Sequence, residues 1–232
     1  MEITWYGSSC FRLRDRNTIA LADPYLPSSK YQNLQIKTDL VTVSQPGLEL
    51  RNIVSNVRTS PYVIDGPGEY EVGGVFVNAV RNVASTHQLN GADADAPPSL
   101  ICTFAIDGVS ICHLGRLESP PSTELVESIT PFDVLIVPTG GGSGFSGAEA
   151  AKIVSATSPR VVIPMDYAPN GREQDSGDRT ESFLEEAGLE AGEPVSVISL
   201  SCTSLPDDTE TVLLESRTRA KGKKPAGARS LP

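Results

Sequence analysis

Histidine is scarce in this sequence: 232 residues contain two, His87 and His113. So few imidazoles leave little material for a histidine-built metal centre, and no Ser–His–Asp set can be picked out. Cysteine is also sparse. Cys10, Cys102, Cys112 and Cys202 are widely separated and form no C-x-x-C pair, which argues against a zinc–thiolate site. Cys10, Cys102 and Cys112 lie in apolar, strand-like runs and read as buried free thiols of a cytoplasmic protein. Cys10 has no identifiable histidine partner, so a nucleophilic thiol is not expected there. No apolar run approaches the ~18 residues of a membrane span. The opening Met1-Glu2-Ile3-Thr4-Trp5 has no basic stretch followed by an apolar one, so no secretory signal is expected.

What is present suits a packed domain. Hydrophobic residues make up 39% of the chain and charged residues 21%, enough to bury a core and too few charges for disorder. Net charge is −10, unevenly placed. Residues 217–232 hold six basic side chains (Arg217, Arg219, Lys221, Lys223, Lys224, Arg229) and no acidic one, leaving 13 basic against 29 acidic residues elsewhere. The expected organisation is one domain over 1–216 and a basic, disordered tail over 217–232. An acidic body disfavours polyanions, whereas the tail is suited to weak contact with nucleic acid or an acidic membrane.

Along the chain, short strands are expected at residues 3–6, 10–14, 18–22, 40–44, 57–60 and 62–64. Asp65-Gly66-Pro67-Gly68-Glu69 reads as a turn before a strand over 72–80. Residues 82–98 form a long polar loop. Two strands flank Asp107-Gly108, a hairpin signal. Helical spacing at 122–129, 147–156 and 180–187 alternates with apolar strands at 134–137 and 161–165, and final strands follow at 195–200 and 211–214. Thr139-Gly140-Gly141-Gly142-Ser143-Gly144 precedes a helix and reads as a tight turn or, alternatively, an anion-binding loop; it lacks the lysine of a P-loop.

Several segments resemble the small metallo-β-lactamase-fold hydrolases, in particular the group similar to ascorbate-6-phosphate lactonase. They are Ile3-Thr4-Trp5-Tyr6-Gly7 with Ser9-Cys10-Phe11-Arg12, Ala22-Asp23-Pro24, residues 39–44, residues 63–72, Cys112-His113-Leu114-Gly115, residues 134–142, and residues 161–165 with Tyr167. The resemblance implies an α+β fold, an αββα four-layer sandwich, with the active site at the rim where two sheets meet. It also implies one or two metal ions, which lower the pKa of bound water and polarise the scissile group.

At the positions where the resemblance implies metal ligands, the residues differ. The H-x-H-x-D-H run is replaced by Gln45-Pro46-Gly47-Leu48-Glu49-Leu50, Arg116 stands where the family has an aspartate, and Asp166 where it has its last histidine. Ser8 takes an early histidine's place, and His87 falls near a later one. The remnant site positions are therefore Ser8, Gln45, Gly47, Glu49, Leu50, His87, Arg116 and Asp166. His113 is expected to pack structurally rather than ligate. Arg116 either forks onto Glu49 or Asp166 in place of a metal, or faces water.

Two functional expectations follow. In the first, the chain has lost its metal ligands, needs no cofactor and serves as a non-catalytic binding or scaffolding protein for a small molecule or protein, or as a homo-oligomer. In the second, it is a zinc- or manganese-dependent hydrolase of small phosphorylated or lactone-type substrates with a remodelled site. Glu49, His87 and Asp166 make a legitimate ligand set for it.

Overall fold

The computed structural model describes residues 1–25, 34–45, 57–83, 99–117, 119–139, 145–165, 177–217 and 227–230. Its strands are β1 (Glu2–Trp5), β2 (Phe11–Arg14), β3 (Ile19–Ala22), β4 (Leu40–Thr42), β5 (Tyr62–Ile64), β6 (Gly68–Val72), β7 (Val75–Asn82), β8 (Ser99–Ile106), β9 (Val109–His113), β10 (Val134–Pro138), β11 (Val161–Met165), β12 (Val197–Ser199), β13 (Glu210–Thr211) and β14 (Ala228–Ser230). The described helices are α1 (Thr123–Ile129), α2 (Gly147–Thr157) and α3 (Gly177–Ala187).

The strands form two mixed sheets, ordered β14-β12-β1-β2-β3-β4-β5 and β13-β11-β10-β9-β8-β7-β6. Successive side chains of a strand point to opposite faces, so each strand feeds two layers. On β2 and β3, Phe11, Leu13, Ala20 and Ala22 point inward to meet Val77, Phe104, Ile111 and Ile136 of the second sheet. Leu21 and Val41 point the other way and pack beneath Ile36 and Val57. On the second sheet, Ile101, Cys112, Leu135 and Val162 face outward and are covered by Ile129, Ile153, Val154 and Phe183 of the helices. This is the expected α+β sandwich, and the described helices all lie on the second sheet.

Local chemistry sets the element ends. Asp107 and Gly108 both take positive φ, 52° and 75°, as a two-residue hairpin turn between β8 and β9 requires. Ser146 caps α2: its Oγ accepts from the Glu149 N–H at 3.2 Å, while Glu149 Oε2 accepts from the Ser146 N–H at 2.8 Å. That reciprocal pair satisfies two donors which the first turn of a helix leaves open.

Three expectations are corrected. Residues 57–60 form no strand; Val57 is buried, but the backbone N–H of Arg58 bonds to Ile36 rather than to a ladder. The turn expected at 65–69 is shorter, and the single strand expected over 72–80 is two strands of a hairpin. Gly68 already opens β6, and the reversal into β7 is made by Gly73 and Gly74 at φ 60° and 84°. A β-carbon on Gly73 would meet Thr18 Oγ1 at 2.7 Å, and that hydroxyl donates to the Gly73 carbonyl. Finally, the tail is not wholly outside the fold. Ala228–Ser230 extends the first sheet by pairing in parallel with Val197–Ser199, because the edge of β12 presents open backbone groups. The Ser196 N–H donates to the Gly227 carbonyl, and Arg229 Nη2 lies 2.7 Å from Glu210 Oε2.

Phe104 is fully buried between the sheets. Phe104→Ala is expected to destabilise the fold by about 3–5 kcal/mol, read as a lower urea midpoint with an unchanged slope.

Candidate functional site

Strands β3, β4 and β5 run parallel to one another, as do β9, β10 and β11. Their carboxyl ends, where parallel sheets place ligands, lead into Asp23, Ser44, Gly115 and the residue after Met165. Asp23 sits just past β3 with φ 46°, a left-handed conformation that aspartate tolerates better than most residues. It is 8% exposed. Its Oδ1 accepts from the Ser44 N–H and its Oδ2 from the Ser44 hydroxyl, both at 2.6 Å. Hydrogen bonds to a buried charge are worth about 1.5–3 kcal/mol each, so this pair anchors the point where the chain leaves β4.

Ser44 in turn joins the two sheets. Its Oγ accepts the Arg116 N–H at 3.0 Å, and its carbonyl accepts the Leu100 N–H at 2.7 Å. Gly115 makes the close approach possible. It has φ 67°, and a β-carbon there would fall 2.3 Å from Ser44 Cβ and 3.0 Å from the Leu100 carbonyl oxygen. A second tie lies beside it: the His113 Nε2–H donates to the Ser9 carbonyl at 2.9 Å, and the ring stands edge-on to Phe11.

The electrostatics follow from burial around one anion. Burial lowers the pKa of His113, opposed by the Asp23 charge and the Ser9 hydrogen bond. Burial, then the Asp23 charge, raises the thiols of Cys10 and Cys102, while burial pushes Cys112 up to about 12. These groups therefore stay neutral: a neutral imidazole and protonated thiols around a carboxylate that Ser44 satisfies. Cys10, Cys102 and Cys112 are inert packing groups, and Cys202 is exposed.

Among the described residues, no three His, Cys, Asp or Glu side chains converge to hold a metal. The donor chemistry agrees: Asp23 is engaged on both oxygens, Nε2 of His113 is engaged, and the buried thiols are protonated. The candidates that fit a metal by chemistry, Glu49, His87 and Asp166, lie outside the described residues, as do Gly47, Leu50 and residues 140–144 of the glycine run. Of the remaining sequence candidates, Ser8 is half-buried in the β1–β2 turn, where its carbonyl accepts from the Trp5 indole at 2.7 Å. Gln45 is half-buried and directly follows Ser44, and Arg116 is exposed. The fold brings Gln45 and Arg116 to one rim through the Ser44 bond. It leaves Ser8 with a turn-forming role in its contact with Trp5. His113 packs structurally, as expected.

Asp23, Ser44 and Gly115 were not singled out by sequence reasoning. A signal was present: an aspartate before proline at the end of an apolar strand, and a serine closing the next parallel one, are short polar groups where buried strands end.

A family described as "Beta-lactamase superfamily domain" matches residues 2–166. A UPF0173 protein of Pyrococcus furiosus is 31% identical over 189 residues, which is 72% of this chain and 83% of that protein. A UPF0173 metal-dependent hydrolase of Thermoplasma acidophilum is 27% identical over 192 residues, 72% of this chain and 83% of its own. Among solved structures, a Thermotoga maritima protein assigned to the zinc-dependent hydrolases of the metallo-β-lactamase superfamily superposes with a TM-score of 0.72 and 26% identity, covering 92% of this chain and 97% of that one.

These relatives overturn the first functional expectation, a metal-free and non-catalytic binding or scaffolding protein. Proteins matching this chain over most of its length are named metal-dependent hydrolases, and nothing among the described residues shows a loss of metal ligands. The expectation failed because it required each ligand at its usual sequence position. A metal needs donors at a point in space, and side chains on neighbouring loops of one rim can supply them. The relatives bear out the metallo-β-lactamase-fold family, at the level of UPF0173 proteins.

Two outcomes test this geometry. Gly115→Ala introduces both a strained φ and a clash with Ser44, so it is expected to cost at least about 2 kcal/mol in chemical denaturation. Alkylation of the native protein at pH 8 is expected to label Cys202 and spare Cys10, Cys102 and Cys112, with all four reacting once the chain is unfolded; peptide mass mapping reads the sites.

Proposed function

We propose that this chain, which belongs to the β-lactamase superfamily domain family, is a metal-dependent hydrolase of small phosphorylated or lactone-type substrates, acting through a remodelled site. The observation that carries the reading is the buried Asp23–Ser44 pair, with Arg116 and Leu100 held to Ser44. A carboxylate braced in this way fixes the rim where the loops after β4 and β9 begin. The names of the relatives supply the reaction class.

In this reading Glu49, His87 and Asp166 would hold a zinc or manganese ion, one imidazole and two carboxylates being a fitting donor set. When bound, the ion supplies a water of lowered pKa and polarises the scissile group. The described residues do the remaining work. Asp23 holds Ser44, and Ser44 holds the backbone of Arg116, so the side chain of Arg116 projects from a fixed point. Leu117, just past the carboxyl end of β9, is fully buried in the layer between the second sheet and its helices, which holds down the chain that follows Arg116. The three buried free thiols accord with a reducing compartment, and the cytoplasm is proposed on that ground. No described helix is long and apolar enough to cross a membrane.

The reading is checked by elemental analysis of protein purified without chelator, together with turnover on phosphomonoesters, phosphodiesters and lactones. About one zinc or manganese per chain is expected, with hydrolysis lost in chelator and restored by either ion. Asp166→Asn and His87→Ala are expected to cut metal content by more than half. Protein that carries no metal and turns over none of these substrates when either ion is supplied would sink the reading.

A further inference from the structure

In the run His113 to Leu117, Arg116 is the exposed residue; His113, Leu114, Gly115 and Leu117 are buried. The backbone beneath this exposed side chain is tied on both sides. Its N–H is fixed to Ser44 Oγ at 3.0 Å, and Ser44 is itself fixed to buried Asp23. The preceding Gly115 is locked in a left-handed conformation with no room for a side chain, and the following Leu117 is fully buried. Among the described residues no carboxylate pairs with the guanidinium, although Arg12, Arg14, Arg160 and Arg229 each have an acidic partner within 4.0 Å.

The setting gives this cation a meaning. The whole chain carries −10, so its general field repels anionic small molecules. A permanently charged side chain held at the strand ends creates a local exception. Guanidinium donates two parallel N–H groups, which match the oxygens of a phosphoryl group. A neutral lactone ring would leave that fork unsatisfied.

We propose that Arg116 is the specificity-determining residue of this site and receives the phosphoryl group of the substrate, so that phosphorylated small molecules are preferred over neutral lactones. The inference rests on the hydrolase reading for the reaction, and on geometry alone for the binding of the anion.

The test is designed to separate the two. Binding of inorganic phosphate is measured by calorimetry on the full chain in the presence of chelator, so that no ion can hold the anion. Wild type, Arg116→Gln and Arg116→Lys are compared. Wild type is expected to bind phosphate. Arg116→Gln is expected to weaken binding roughly tenfold or more, and Arg116→Lys to fall between them, since it keeps the charge and loses the fork. Because the side chain is exposed, both variants should unfold at the wild-type temperature, which melting followed by Trp5 fluorescence verifies. Equal phosphate affinity in wild type and Arg116→Gln overturns the inference, as does the absence of phosphate binding by wild type. If phosphate binding depends on Arg116 but no ester is hydrolysed with zinc or manganese supplied, the hydrolase reading fails and the anion site stands. If neutral lactones are hydrolysed as fast as phosphate esters and Arg116→Gln changes neither rate, the hydrolase reading stands and this inference fails.

Discussion

One buried carboxylate organises this molecule. Asp23 lies at the end of a strand in the first sheet, nearly removed from solvent, and both its oxygens accept from Ser44 at the end of the neighbouring strand. A buried charge is tolerated only when its hydrogen bonds are complete. Here one residue completes two of them, and the geometry of that residue is thereby fixed. The same serine then holds the second sheet through Arg116 and Leu100. The rim of the sandwich thus depends on a short chain of contacts: carboxylate, serine, and the backbone of the facing sheet.

The electrostatic character of the interior follows from the same anion. Around Asp23 lie groups that burial keeps uncharged, the His113 imidazole and the thiols of Cys10 and Cys102. Among the described residues these buried neighbours are uncharged, and Ser44 stabilises the carboxylate by donating two hydrogen bonds to it. Among these described groups none is free to ligate or to attack. In the proposed function the chemistry therefore falls to the loops that follow Ser44, Gly115 and Met165 in the sequence. Division of labour between a rigid frame and variable loops is how one fold serves different reactions.

This division explains why the residues framing the site and those at its ligand positions behave so differently in the sequence. The frame answers to packing: Gly115 must lack a side chain because Ser44 occupies the space, and Phe11 and Phe104 must be apolar because they meet between sheets. The rim, in the proposed function, answers to the ion and substrate. Arg116, in a position associated by resemblance with an acidic ligand, illustrates the second kind of constraint. Its backbone is held by the frame, and its side chain is left to chemistry.

Much of the fold was legible in the sequence. The alternation of apolar residues placed most strands, helical spacing placed the three described helices, and Asp107-Gly108 announced its hairpin; all of these are local patterns that a neighbouring few residues impose. The α+β sandwich followed from the order of those elements and the family resemblance. Local pattern misled at 65–80, where the turn chemistry of 65–69 hid the strand Gly68–Val72 and the reversal at Gly73-Gly74 was read as part of a strand over 72–80; the register of Gly68–Val72 against Val75–Ala79 places that reversal. It also missed the pairing of Ala228–Ser230 with β12, which depends on an open sheet edge about thirty residues earlier in the chain. The site was legible as a set of positions but not as a structure. Ser44 and Arg116 are 72 residues apart, and Ser9 and His113 are 104 apart. No periodicity connects such pairs. By itself the sequence determined which faces would be apolar, where strands and helices would form and which residue types were at hand. The stacking of the two sheets alone decided which polar ends would meet, because that contact is set by the packing of side chains far from either residue.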